Sequence, residues 1–324
     1  MRATADVLLL RDLHPTRLPD RPILHIILAL SLALPSLQAK TEVTKEAASQ
    51  EGLQVSHSAR SLQPGEVVLV EIQSSEQVDQ IVGRIFDQEV PFEVGEGLAP
   101  GHWWGLVGLD LEVSPGEYVL QLVAFQQGRP IGKAQHVLQV EKKDFPTRRL
   151  TLPKRFVNPP EEALGRIRRE SLRISALFGD FAPERRWKGP FDRPTEGAPT
   201  SSFGKRSILN GQPRSPHTGT DFQAAKGTPV KAPNLGKVVL AADLYYSGNT
   251  IILDHGQGLY SYFGHLKDFK VSQNALVSKG TVIGSVGATG RVTGPHLHWS
   301  VRLRKARVDP LSLIVVLSSF RFSE

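Results

Sequence analysis

Beyond about Leu62 the chain alternates short apolar runs with clusters of turn residues, and almost none of the runs has the length or spacing of a helix. In the N-terminal half the runs are Val67 to Ile72, Ile81 to Phe86, Trp103 to Leu111, Tyr118 to Phe125 and Ile131 to Val140. Pro64-Gly65, Pro115-Gly116 and the stretch Gln126-Gln127-Gly128-Arg129-Pro130 punctuate them. Regularly spaced runs of this kind predict a small antiparallel sandwich over residues 62–145, immunoglobulin-like in type. Residues 40–61, polar at their start, read as a loose lead-in. Trp103 and Trp104 are adjacent, so on a strand they take opposite faces and at least one points inward. His57, His102 and His136 stand isolated, and nothing around them looks catalytic.

The pattern changes once to a helical one. Asn158 offers a capping side chain, Pro159 and Pro160 suit a first turn, and Glu161 and Glu162 sit at the positive end of the dipole. Leu164, Ile167, Ile174 and Phe178 follow at near-helical spacing as far as Gly179. From Ala182 to Pro216 the chain is rich in Pro, Gly, Arg and Ser and reads as a linker or an approach to a site, not as core. Residues 146–200 are therefore expected to be a connector helix and linker. Strand patterns then return at Lys237 to Ala242, Thr250 to His255, Tyr260 to Gly264, Thr281 to Val286 and Leu297 to Leu303. They define a second β domain over residues 201–314, with residues 315–324 as a tail. Apart from the connector helix, the fold class is all-β.

Residues 1–39 have the order of an export signal. Arg17 and Arg21 precede the apolar run Ile23 to Leu34, which Pro35, Ser36, Leu37, Gln38 and Ala39 follow. The run is shorter than the roughly 20 apolar residues that span a bilayer, so cleavage is expected, with no stable membrane span afterwards. The 324 residues suffice for two domains. A net charge of +7 favours acidic partners, yet no Lys/Arg block is interleaved with aromatics, and no nucleic acid is expected. The absence of cysteine excludes disulfides, thiolate metal sites, iron–sulfur clusters and thiol nucleophiles.

Five of the 10 histidines fall between positions 217 and 298, together with Asp221. In His217-Thr218-Gly219-Thr220-Asp221 an even offset along an extended segment puts both polar side chains on one face. The offset of two in His296-Leu297-His298 does the same and turns Leu297 away. A catalytic zinc commonly takes three nitrogen or oxygen ligands and leaves a fourth position open. His217, His265, His296, His298 and Asp221 exceed that need, which suits a site where some residues bind metal and others move protons. His255, beside Asp254 and Gly256, reads as structural. The glycine-rich stretch Gly287 to Gly294 lacks a P-loop ending and reads as a tight connection into His296.

From about Ser202 to Leu311 the chain resembles the lysostaphin-type zinc endopeptidases of bacterial cell walls. Ser202-Phe203-Gly204, the His217/Asp221 pair in His-Thr-Gly-Thr-Asp-Phe, Gly227-Thr228-Pro229-Val230 and Gly248-Asn249-Thr250 carry the first part of the match. Asp254-His255-Gly256, Gly264-His265-Leu266, Gly294-Pro295-His296-Leu297-His298-Trp299 and Val308-Asp309-Pro310 carry the rest. The resemblance implies zinc bound by His217, Asp221 and His298, with His265 and His296 as a catalytic pair that does not bind it. It further implies a small β-sheet domain with a groove, and peptidoglycan as substrate. The expected activity is that of an exported metallo-endopeptidase of the periplasm or cell envelope, hydrolysing stem peptides or cross-bridges. A non-catalytic wall-binding or hydrolase-activating module would lack one of the five residues, and all are present. A general secreted protease is the other alternative. Two positions depart from the family's pattern: Asn274 replaces a common turn glycine, and Phe263 replaces a frequent tyrosine, removing a hydroxyl.

Overall fold

The computed structural model of the chain describes residues 42–44, 52–95, 99–151, 158–179, 182–200 and 202–322; the expected signal over residues 1–39 lies outside them. Mostly β, it contains every strand expected from the pattern, with shifted ends. The N-terminal unit holds β1 (Leu53–Ala59), β2 (Val67–Ser74), β3 (Gln80–Ile85), β4 (Gln88–Pro91), β5 (His102–Gly108), β6 (Gly116–Gln126) and β7 (Arg129–Val140). One antiparallel sheet runs Glu42–Thr44, β1, β2, β5, Glu93–Val94, and a second runs β4, β3, β6, β7. The first strand corrects the lead-in expected over residues 40–61. Leu53, Val55, His57 and Ala59 are buried at alternate positions and Gln54 is exposed, which is the signature of a half-buried strand.

In β2, Val67, Val68, Leu69 and Val70 are all buried, so both faces of its sheet are covered. Val68, Val70, Ile72 and Trp103 face the second sheet and share a core with Ile81, Leu120 and Leu122. Val67, Leu69, Trp104 and Leu106 face the other way and join the core of the C-terminal unit. The adjacent tryptophans therefore both point inward, into different cores. The segment expected to be linker supplies part of the junction: Trp187 and Phe191 are buried there, and Trp187 lies edge-on to Trp104 with ring centroids 5.7 Å apart.

Polar groups close the same seam. Arg60 donates to both oxygens of Glu66 at 2.9 and 2.7 Å and to Asp309 at 2.6 Å, while Lys143 donates to Glu66 at 2.9 Å. Burial raises the Glu66 carboxyl, but hydrogen bonds and charge from Arg60 and Lys143 outweigh it and hold the group below its ordinary value. A buried carboxylate is tolerable only with such partners.

The C-terminal unit is a 10-stranded sheet. Its central strands are β8 (Thr220–Gln223), β9 (Gly236–Leu244), β10 (Gly248–Asp254), β11 (Leu259–Phe269), β12 (Val282–Val286) and β13 (Leu297–Leu303). The order β8-β13-β11-β10-β9 is antiparallel throughout, and β12 joins the far end of β11. The connector helix α1 (Glu161–Gly179) has no fully buried residue; Ile174 and Phe178 rest on Leu240, Leu244, Ile252 and Tyr260, whereas Leu164 is left exposed. A second helix, α2 (Pro310–Ser319), corrects the expectation of one helix and of a tail beyond residue 314. Asp309 caps it by accepting from the Leu311 N–H, Pro310 occupies the first turn, and Leu313, Val316 and Leu317 are buried. Among the described residues no helix is long and apolar enough to cross a membrane.

His57 and His136, isolated in the sequence, meet across the N-terminal core with ring nitrogens 2.7 Å apart. Burial, with the His57 charge beside it, lowers His136 to about 4. Burial likewise lowers His255 to about 4 against the raising effect of its contact with the Leu235 carbonyl. Both titrate at 6.5 by default, so between these values the unfolded chain binds more protons than the folded one. Their contribution is intact above about pH 6.5, is lost progressively as pH falls, and levels off below about pH 4. Each costs at most about 3 kcal/mol over the window, a tenfold change in proton affinity being worth about 1.4 kcal/mol. Thermal melts between about pH 7.5 and 4 should show the fall, and a flat midpoint across that range would refute the assignment.

Candidate active site

Strand register builds the first half of the site. Asp221 of β8 lies directly opposite His298 of β13, flanked by the pairs Thr220 with Trp299 and Phe222 with Leu297. Alternation then sends Asp221 and His298 to one face while Phe222, Leu297 and Trp299 fill the core on the other. His296 bridges to Gly287 just ahead of β13 and shares the site face. His217 comes from the irregular segment before β8, not from the strand. Gly219 permits the close approach this needs, since a Cβ there would lie 2.5 Å from both Ser300 Oγ and the Trp299 carbonyl oxygen.

His265 reaches the site through a bulge. Pairing with β10 runs Ile251 to Phe263 and Asn249 to Leu266, so β11 carries one residue more than its partner. Phe263 and Leu266 both remain in the core, and His265, with φ of 64°, is the residue that accommodates the excess. Its N–H donates to the Ser247 carbonyl at 2.7 Å. The two departures from the family pattern resolve simply. Asn274 adopts the left-handed conformation with φ of 72°. Phe263 is fully buried away from the site, and the hydroxyl on the site side comes from Tyr262, which donates to Ser247 Oγ.

Three potential ligand atoms converge. His217 Nε2 is 3.0 Å from His298 Nδ1, His298 Nδ1 is 2.9 Å from Asp221 Oδ1, and His217 Nε2 is 3.1 Å from that same oxygen. Donors about 2.0–2.1 Å from a tetrahedral metal lie roughly 3.3 Å apart, so this triangle fits such an ion. The outward nitrogens support the fit. His217 Nδ1 donates to the Ser202 carbonyl at 3.0 Å, which leaves a lone pair on Nε2, and His298 Nε2 contacts Ser300 Oγ at 2.8 Å. Two ring nitrogens and a carboxylate oxygen then crowd one point, and a metal ion satisfies all three where a single proton cannot. Burial raises the Asp221 carboxyl, but the hydrogen bonds and charge that His217 and His298 supply in their protonated form hold it well below the ordinary carboxylate range.

Two further imidazoles flank the triangle. His265 Nδ1 donates to the Thr289 carbonyl and His296 Nδ1 to that of Gly294, each at 3.0 Å, so both rings keep a lone pair on Nε2. Their centroids are 4.8 Å apart, and His296 Nε2 is 3.9 Å from Asp221 Oδ1. Burial, followed by the nearby His298, lowers His265 to about 4, so it is neutral at pH 7. A groove of about 580 Å³ opens over His217, His265 and His298. His255 lies elsewhere: it is fully buried, held by the Leu235 carbonyl and Ser261 Oγ, and edge-on to Phe191.

Residues 215–310 match the model of peptidase family M23. A crystal structure from Pseudomonas aeruginosa assigned to peptidase M23 is 33% identical, covers 80% of this chain and 96% of that one, and superposes with a TM-score of 0.61. The chain belongs to peptidase family M23. Its M23 segment is similar to the peptidoglycan DD-endopeptidase ShyB of Vibrio cholerae, 40% identical over 30% of this chain and 22% of that protein. It is equally similar to the DD-carboxypeptidase/endopeptidase Mpg of Neisseria meningitidis, 40% identical over 30% of this chain and 22% of that protein. The chain thus spans under a quarter of the length of these curated relatives.

Several residues that hold the M23 site together have roles that the sequence motifs do not show, although sequence spacing bears on one of them. Ser300 was accessible to it, being two positions from His298 on the same strand face. Ser202 and Thr289 act through main-chain carbonyls, which no residue type announces. Ser202 also accepts from the Asp221 N–H through its hydroxyl at 3.0 Å. Replacing His217 or Asp221 by alanine should reduce bound divalent metal from about one per chain to near zero while the fold persists, as read by elemental analysis and circular dichroism. Full metal occupancy in the double variant His217→Ala, Asp221→Ala would sink the ligand assignment.

Proposed function

We propose that this chain is an exported zinc metallo-endopeptidase that hydrolyses peptide bonds in the stem peptides or cross-bridges of peptidoglycan, in the periplasm or cell envelope. The convergence of His217, Asp221 and His298 on one point, with the imidazoles of His265 and His296 beside it, carries this reading. The names of ShyB and Mpg support the substrate class. The nitrogen and carboxylate donor set favours zinc over oxygen-loving magnesium or calcium. The N-terminal unit, read as immunoglobulin-like, is an accessory to this activity.

His217, Asp221 and His298 would hold the zinc, which when bound supplies Lewis acidity toward the scissile carbonyl and acidifies water. Asp221 contributes a full negative charge, because its neighbours keep it ionised. His265 and His296 share the remaining work at Nε2: the lone pair takes a proton from the attacking water, and the imidazolium N–H so formed steadies the developing oxyanion and returns that proton to the leaving amine. Their Nδ1–H bonds to backbone carbonyls fix both tautomer and ring orientation, so neither side chain must reorganise during the reaction.

Digestion of purified sacculi beside casein tests the substrate. New amino termini should appear from sacculi and not from casein; casein cleavage with intact sacculi would instead mark a general protease. His265→Ala and His296→Ala should each retain metal and sacculus binding while turnover falls by about 100- to 10,000-fold. Near-normal hydrolysis by either variant would remove that histidine from the mechanism.

A further inference from the structure

The groove continues past the imidazoles. The cavity of about 580 Å³ over the site and a second of about 690 Å³ share Ile174, Phe178, Tyr246, Tyr262 and Arg302 in their walls. One trough therefore runs from His217 and His298 along β13, with α1 as its other wall. His298, Ser300 and Arg302 occupy alternate positions on β13, so Arg302 shares the site face about 13 Å from His298 at roughly 3.3 Å per residue.

Arg302 is half-buried and lacks a counter-charge in ion-pair range among the described residues. Its guanidinium stacks on Phe178 of α1 at 5.2 Å and makes a hydrogen bond of 3.4 Å to the Lys305 carbonyl. Burial, followed by the nearby Arg307, outweighs the raising effect of Asp110 and lowers it to about 10. The acid in the trough wall is Glu170, and both its oxygens are engaged, by Arg166 Nε and by the Tyr245 N–H. On the facing side Arg291 lies over the Tyr246 ring at 4.7 Å. The walls thus combine apolar surface with two cationic groups, Arg302 and Arg291, that have no carboxylate in ion-pair range among the described residues. A partly desolvated guanidinium is costly alone and matches a planar carboxylate in two-pronged geometry.

Building on the peptidase reading, we propose that Arg302 is a specificity-determining anchor that binds a carboxylate of an acidic peptide lying along the trough, about four residues from the bond that is cut. Continuity with the site commits the trough to the substrate peptide, and its charge commits that peptide to being acidic.

The test uses cross-linked stem-peptide dimers in free-acid form and with their side-chain carboxylates amidated. Affinity is measured by calorimetry on the purified protein carrying His265→Ala, which slows turnover below the time of the titration, and kcat and KM are measured in the wild type. Loss of a charge-assisted hydrogen bond is worth about tenfold or more, so the free-acid dimer should bind at least about tenfold tighter than the amidated one. Adding Arg302→Gln should collapse that ratio, and Arg302→Lys should keep part of it. In turnover the effect should fall mainly on KM. Equal affinity of the two dimers with Arg302 intact, or a free-acid preference that survives Arg302→Gln, would overturn the anchor. Should Arg302→Gln fail to fold, the two-dimer comparison and Arg302→Lys still decide. A binding preference without cleavage by the wild type retains the anchor and removes the peptidase reading, whereas cleavage without preference does the reverse.

Discussion

Three electron-rich atoms held 2.9–3.1 Å apart repel one another unless a cation lies among them, and much of this chain serves to keep them there. The register between β8 and β13 fixes two of them, and that register is in turn fixed by Phe222, Leu297 and Trp299, none of which could move to the other face without emptying the core. The third comes from a loop tied by the Ser202 carbonyl. Thr220, next to Asp221, donates to Asp309 at 3.1 Å, and Asp309 also receives Arg60 from the N-terminal unit. A chain of hydrogen bonds therefore runs from the far unit to within one residue of the site.

The strands were legible because a period of two and glycine-rich turns are local signals, and the even offset of His296 and His298 follows from the same period, whereas His217 joins Asp221 from an irregular segment. What the sequence concealed depends on distant partners. His57 and His136 are 79 positions apart and meet only in the folded core. Trp187 and Phe191 lie in a stretch of turn residues, where two isolated aromatics give no periodicity. The segment from Pro310 to Ser319 is apolar and rich in β-branched residues; its helical form follows from the Asp309-Pro310 start and from the core it covers. His265 owes its direction to one extra residue in a strand, a feature with no signature in residue type. The unbroken run Val67-Val68-Leu69-Val70 and the adjacent Trp103-Trp104 pair already marked a sheet covered on both sides.

Arg60 and Arg302 show two uses of the same side chain. Arg60 is saturated by Glu66 and Asp309 and acts as a rivet between units. Arg302 is stacked and has no carboxylate in ion-pair range among the described residues, on the face of β13 that also carries His298. The difference lies in what each guanidinium meets, not in burial alone.

The doubly covered N-terminal sheet bears on how this protein can be rearranged in evolution. Val67, Leu69, Trp104 and Leu106 share one interior with Trp187, Trp299 and Leu313, so the boundary between the units in sequence is not a boundary in space. Excising either unit by recombination would bare an apolar face fit for self-association. The M23 fold of this chain therefore has one wall of its interior supplied by its N-terminal neighbour, and a version cut free of that neighbour would need polar residues on the bared face.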